Sequence, residues 1–202
     1  MRILLLAPEP FYQDRGTPIA VSLLLRVFSV RGEQVDVLTY HEGTDIQLES
    51  VTLHRIAKLN FVRNIRPGFS WKKVICDAFM LVKSAQLVRQ NRYDVIYAIE
   101  EAVFIALVWK WLLRIPYVYD MDSSLVQQLV ESCPLLRPFT FLFKLFEGLA
   151  VKNAIGVAPV CESLTAAIIS YHPRKIVVLH DVSVLTNSRA AHDIVVSGIS
   201  EV

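Results

Sequence analysis

MRILLLAPEPFYQDRGTPIAVSLLLRVFSVR, residues 1–31, decides how the chain is read. Residues 3–7 are a short apolar strand, a loop of about ten residues follows, and an amphipathic helix comes next. The helix has a start signal: Thr17 is placed to accept the first free backbone N–H groups, and Pro18 suits a first helical turn. In an open parallel sheet the first strand is central, and the loop at its carboxyl end faces the ligand crevice. Here that loop carries Glu9, Asp14, Arg15 and Gly16 and ends on a helix N-terminus, a natural seat for an anion.

Outward from this unit the alternation continues. Gly32 is a C-terminal stop for the first helix, and the spacing to a second strand over 35–39 is that of a right-handed parallel crossover. Further strands are predicted over 51–56, 94–98, 116–119, 155–158 and 176–179. Helices are predicted over 70–91, 100–113, 125–130, 137–151 and 162–170. Strands that are nearly continuous apolar runs, alternating with helices, predict a Rossmann-like, doubly wound parallel sheet of about seven strands. One domain over 1–185 is expected, with 186–202 reading as a linker toward a further domain.

Composition excludes several classes. The chain has 202 residues, 53% of them hydrophobic, with a mean hydropathy of +0.42, which suits strands buried on both faces. A net charge of +2 gives no electrostatic support for nucleic-acid binding. Cys76, Cys133 and Cys161 lie far apart and read as free thiols of a reducing compartment. No apolar run reaches the eighteen or so residues needed to span a bilayer, and the N-terminus lacks the pattern of a signal peptide. A cytoplasmic protein is expected. Residues 55–73 hold six basic and no acidic residues, interleaved with Phe61, Phe69 and Trp71. This loop suits peripheral contact with the inner face of a membrane. The apolar stretch 135–149, with Phe139, Phe141, Phe143 and Phe146, reads as core packing or as the contact of a further domain, with a place in a membrane interface as the other reading.

RILLLAPEP, the loop DRGTPIAVSLLLRVFSVRGEQVDVLTY, YDVIYAIEEAVF, IPYVYDMDSS and KIVVLHDVSVL, in that order and spacing, resemble the N-terminal domain of family 4 glycosyltransferases of the two-domain GT-B type. The likeness covers about residues 1–185. It implies an acceptor-side half whose partner, a C-terminal donor domain, has no counterpart here. The whole enzyme would move a sugar from a nucleotide-sugar donor to the hydroxyl of an acceptor glycan or lipid-linked acceptor. Retention of configuration without metal or cofactor is implied, and so is an inactive half when alone. Two other readings stay open: a non-catalytic Rossmann-like binding module, and an epimerase-like relative acting on the nucleotide sugar itself.

Three places carry candidate chemistry. Gly16 beside Arg15 lets backbone approach a phosphate, though a plain turn glycine explains it equally; the resemblance places Gly16 against the donor diphosphate. Asp120 and Asp122 close the fifth predicted strand, point the same way if extended, and would perturb each other's titration. Many members of the family have a histidine where Asp122 aligns, so this chain departs from that pattern. Asp122 is left to orient the acceptor hydroxyl or to stabilise developing positive charge, and capping of the next helix by Asp122 or Ser123 is the plainer account. Glu100 and Glu101 are candidates for acceptor hydroxyls, or simply acids favoured in a first helical turn. The pair His180 and Asp181 reads as a loop or hinge. His41, His54, His172 and His192 lack metal or triad spacing, and Ser123 and Ser124 lack a nucleophile elbow.

Overall fold

β1 (Arg2–Ala7) runs through the middle of a parallel sheet in a computed structural model that describes residues 1–10, 16–63, 65, 70–126 and 134–180. It is followed by α1 (Gly16–Val30), β2 (Gln34–Thr39), β3 (Val51–Arg55), α2 (Trp71–Gln90) and β4 (Val95–Ile99). A short 3-10 turn (Glu100–Ala102) leads into α3 (Val103–Leu113) and β5 (Tyr117–Met121). After a second 3-10 turn (Pro134–Phe139) come α4 (Thr140–Asn153), β6 (Gly156–Pro159) and α5 (Glu162–Ile168). The six strands lie in the order β3-β2-β1-β4-β5-β6, all parallel. The winding therefore reverses between β1 and β4.

Alternate residues of each inner strand serve opposite faces of the sheet. Ile3, Leu5, Val35, Val37, Tyr97 and Ile99 pack beneath Val21 and Leu25 of α1. On the other face Leu4, Leu6, Ile96 and Tyr119 meet Met80 of α2, Ala106 of α3 and Val151 of α4. Cover on both faces explains why β1 reads as unbroken apolar sequence. On the α2–α4 face, the Trp109 indole donates to Ser84 Oγ at 3.0 Å and the Tyr117 hydroxyl to the Ala150 carbonyl at 2.6 Å. These bonds tie α2 to α3 and α4 to the sheet.

The expected stop of the first helix is present, but its start differs: α1 begins at Gly16, so Thr17 lies inside the first turn and not at the cap position. Gly32 sits at φ 69°, and the N–H groups of Gly32 and Glu33 donate to the carbonyls of Ser29 and Phe28, the pairing of a Schellman stop. Ser70 caps α2 by accepting from the Lys73 N–H at 3.3 Å.

Three predicted elements differ. The seventh strand is an extended edge segment: its backbone bonds to β6 form one bridge, Val157 to Ile176, and the sheet has six strands. Val177 and Leu179 remain 47% and 44% exposed there, so the segment lacks the buried faces that hold the other strands. The helix over 100–113 opens as a 3-10 turn over Glu100–Ala102, with Glu100 left-handed (φ 46°), and runs directly into regular helix from Val103. The helix over 137–151 becomes regular only from Thr140, since Pro138 has no N–H for the ladder. Most of the helix predicted over 125–130 lies outside the described residues, as do Arg15, Cys133, Asp181 and the linker over 186–202. Among the described residues, no helix is long and apolar enough to cross a membrane.

Asp36 of β2 ties β1, the edge strand β3 and the lead-in to β4 together. Arg2 donates to its Oδ2 at 2.9 Å, the Tyr93 hydroxyl to the same oxygen at 2.9 Å, and His54 Nε2 to Oδ1 at 2.8 Å. Burial by itself raises the pKa of this carboxyl, but the hydrogen bonds from His54, Arg2 and Tyr93 outweigh it and hold the group below its ordinary value. A depressed carboxyl stabilises the fold fully above the unfolded pKa of about 3.9, and the contribution is lost as pH falls. Asp36→Asn should cost about 1–3 kcal/mol at pH 7 and clearly less at pH 3, measured by urea unfolding at both pH values.

Candidate functional site

Parallel strands end at one rim, so the chain segments leaving β1, β4 and β5 lie side by side. Register pairs Leu6 with Ala98 and Ala98 with Tyr119, which sets the three strand ends level. Glu9 follows β1 by two residues; its carbonyl accepts from the Tyr40 N–H at 3.3 Å and anchors it beside the end of β2. Glu100 and Glu101 leave β4, and Asp122 leaves β5. Gly16 opens α1 at the same rim.

The dominant feature is a crowd of carboxylates around one lysine. Lys73, in the first turn of α2, is 7% exposed and pairs closely with Glu101 and at 3.8 Å with Glu100. Burial disfavours its charge, but the fields of Glu101 and Glu100 outweigh that and raise its pKa. One turn on, Asp77 accepts from the Tyr40 hydroxyl at 2.6 Å; burial and the charge of Glu101 hold its carboxyl well above the usual range. Glu100 is raised too, by burial first and then by Glu101, with Asp122 adding to the effect.

Glu9 is strongly perturbed as well. Burial, then the charges of Glu100 and Asp122, push it up to about 8, so at pH 7 it is mainly a neutral acid. Its Oε1 is buried without a hydrogen-bond partner among the described residues, as is the Tyr119 hydroxyl beneath the rim. A protonated carboxyl with an unengaged oxygen can donate to, or accept from, a hydroxyl placed in the crevice.

The candidate residues do not all meet. Glu100 and Asp122 share one field with Glu9. Glu101 is occupied by Lys73. Asp120 faces the α1 side of the sheet, beside the Tyr97 hydroxyl, whose pKa it raises after burial has done so. Asp122 acts on Tyr97 as well and so stands between the two faces. Gly16 lies in the first turn of α1, not in the preceding loop, and Arg15 is outside the described residues. The basic stretch over 55–73 is partly turned inward: Arg55 binds Asp45 and the carbonyls of Tyr40, Glu42 and Thr44, and Lys73 belongs to the crevice. Among the described residues no three His, Cys, Asp or Glu side chains are grouped as a metal would require.

Glu9 was seen in the sequence only as one of several loop residues, and Lys73, Asp77 and Glu147 were not singled out. A signal for Lys73 exists: 73, 76, 80, 84 and 87 share one helical stripe, and every residue on it is buried. A lysine on an apolar stripe must find a carboxylate, and Glu101 is that partner. Glu147 follows the same rule on α4; it is 4% exposed and accepts from Ser124 Oγ at 3.1 Å and the Val126 N–H at 3.4 Å. It thereby holds down the segment that follows Asp122.

No protein-family model and no curated protein matches the sequence. Solved structures do. Sucrose-phosphate synthase from Thermosynechococcus elongatus matches 89% of this chain with a TM-score of 0.69 at 14% identity. A domain-sized chain of the same synthase is covered completely, as is this one, with a TM-score of 0.59 at 11% identity. A UGT transferase from Siraitia grosvenorii in complex with UDP matches 99% of this chain, with a TM-score of 0.52 at 12% identity. The chain spans 47% of the synthase and 56% of the transferase, about half of each. What is shared is the fold, that of a Rossmann-like GT-B half.

A carboxyl whose pKa is higher in the folded than in the unfolded chain stabilises the fold at low pH. Stability falls as pH rises from about 4.5, its unfolded value, to about 8. Glu9→Gln should therefore raise stability by roughly 1–3 kcal/mol at pH 8.5 and change it little at pH 4.5. Denaturant unfolding at the two pH values checks this, and an equal effect at both would contradict the assignment.

Proposed function

We propose that the chain is the acceptor-side half of a family 4-like GT-B glycosyltransferase, which moves a hexosyl-type sugar from a nucleotide donor to an acceptor hydroxyl. The observation carrying this reading is the convergence of Glu9, Glu100 and Asp122 on one rim, at the point where the sheet reverses its winding. An open α/β sheet binds ligands at that point. The likeness of fold to a sucrose-phosphate synthase and a UGT transferase supports the same reading.

The proposed roles follow from charge. Neutral Glu9 and the carboxylate of Glu100 bind acceptor hydroxyls, the first able to donate and the second accepting. Asp122 orients the attacking hydroxyl and stabilises the positive charge that develops on the sugar as the glycosidic bond loosens. Asp120, further along the same strand, supports it from the α1 side. An acidic rim repels a diphosphate, so the donor phosphates require a separate seat. The first backbone N–H groups of α1, reached over Gly16 and helped by Arg15, supply one. Retention and metal independence belong to this reading. So does a second, donor-binding half, without which water is not excluded and transfer is nearly absent.

In an enzyme carrying both halves, Asp122→Asn is expected to lower kcat/KM by about 100-fold or more while donor binding stays within about threefold. Labelled-sugar transfer and donor titration measure the two effects. Full activity in that variant, or efficient transfer by the 202-residue chain alone, would sink the proposal.

A further inference from the structure

α2, α3 and α4 form one layer on one face of the sheet, and the outward side of that layer is unusual in two ways. It is apolar: Trp71 and Val82 on α2, Trp111 and Leu112 on α3, and Phe141 and Leu145 on α4 are 58–77% exposed. It also lacks outward acids. The three helices contain two acidic residues, and both turn inward: Asp77 to the Tyr40 hydroxyl, Glu147 to Ser124. Their basic residues other than Lys73 remain on the outside or at its edge, namely Lys72, Lys83, Arg89, Lys110, Lys144 and Lys152. On α4 the two features meet in an open groove of about 470 Å³ between Phe141, Leu145 and the Tyr171 ring, flanked by Lys144 and Lys152.

Exposed Trp and Phe among lysines, with no carboxylate between them, is the pattern of a surface that enters an anionic lipid interface. The rings and leucines sit at acyl depth while the ammonium groups reach the headgroup phosphates. We propose that the outer face of α2, α3 and α4 docks on an anionic bilayer, with the α4 groove taking up part of an acyl chain. The occupant is set by charge. A second copy would bring a like-charged face against this one, whereas anionic lipid complements both the apolar and the cationic residues. The surface overlaps the basic loop over 55–73 only at Trp71 and Lys72, and Lys72 itself donates to the Arg63 carbonyl; Arg55 and Lys73 of that loop are spent on internal partners.

The experiment is co-sedimentation of the chain with vesicles of equal parts phosphatidylcholine and phosphatidylglycerol, and separately with phosphatidylcholine alone. Binding to the anionic vesicles is expected, weakened severalfold by 0.5 M salt, roughly the change screening imposes. Binding to the neutral vesicles should be at least about tenfold weaker. Phe141→Glu with Leu145→Glu should reduce anionic binding by about tenfold or more. Val30→Glu, at an 88% exposed site on α1 across the sheet, should leave it unchanged. Circular dichroism and melting identical to the unsubstituted chain certify that the variants fold; Lys144→Gln with Lys152→Gln, which leaves the apolar residues in place, should still lose anionic preference. The proposal is overturned by no sedimentation with anionic vesicles, by equal loss in Val30→Glu, or by self-association that Leu145→Glu abolishes while vesicles bind nothing.

Discussion

Two adjacent parallel strands, β1 and β4, lead their chains away to opposite sides, and the two connections cannot fill the space between them. That reversal makes an opening at the carboxyl rim in a sheet otherwise closed by packing. The groups at its edge follow from it. Glu9 comes from the segment after β1, Glu100 and Glu101 from the segment after β4, and Asp122 from the neighbouring β5. Distant in sequence, they share one field because parallel register sets the strand ends level.

Gathering carboxylates in a half-buried place has an electrostatic cost, and the structure meets it in two ways. Lys73 neutralises Glu101 and, at longer range, Glu100. Glu9, Glu100 and Asp77 respond by holding protons more tightly. One cation shared among several acids leaves the rim able to change charge near neutral pH, with Glu9 titrating at about 8. The left-handed backbone of Glu100 belongs to the same arrangement. A non-glycine residue at φ 46° persists only when its surroundings hold it there, and the ion pairs to Lys73 flank that turn.

Much of this was legible in the sequence, and the limits have physical causes. Strand and helix order was readable because buried parallel strands are apolar without interruption and because Gly32 carries local end chemistry. The 3-10 start of the helix after β4 was not readable, since nothing local to Glu100 favours a left-handed residue and its partner Lys73 is distant in sequence. The segment over 176–179 has strand-like composition, but strand formation also needs cover, and at the sheet edge Val177 and Leu179 have little. For the site, proximity to strand ends pointed to Glu100, Asp120 and Asp122. Which of them share a field depends on the face each side chain takes, and Asp120 takes the α1 face. Lys73 was grouped with the basic loop because its immediate neighbours are basic; its helical stripe, 76, 80, 84 and 87, is the better guide.

Lys73 also shows how the two faces of α2 are related. The turn that sends Lys73 inward to Glu101 presents Trp71, Lys72 and Ile75 outward. Helices that connect parallel strands run opposite to them, so the first turns of α2 and α4 rise at the rim where the crevice opens. A helix is about 10 Å across, so a surface touched by the outside of α2 lies about one helix diameter from the carboxylates inside it. On the proposed reading an acceptor anchored in lipid presents its hydroxyl to Asp122 without leaving the interface, and the charge of Glu9 is felt by Lys73 on the helix between the two.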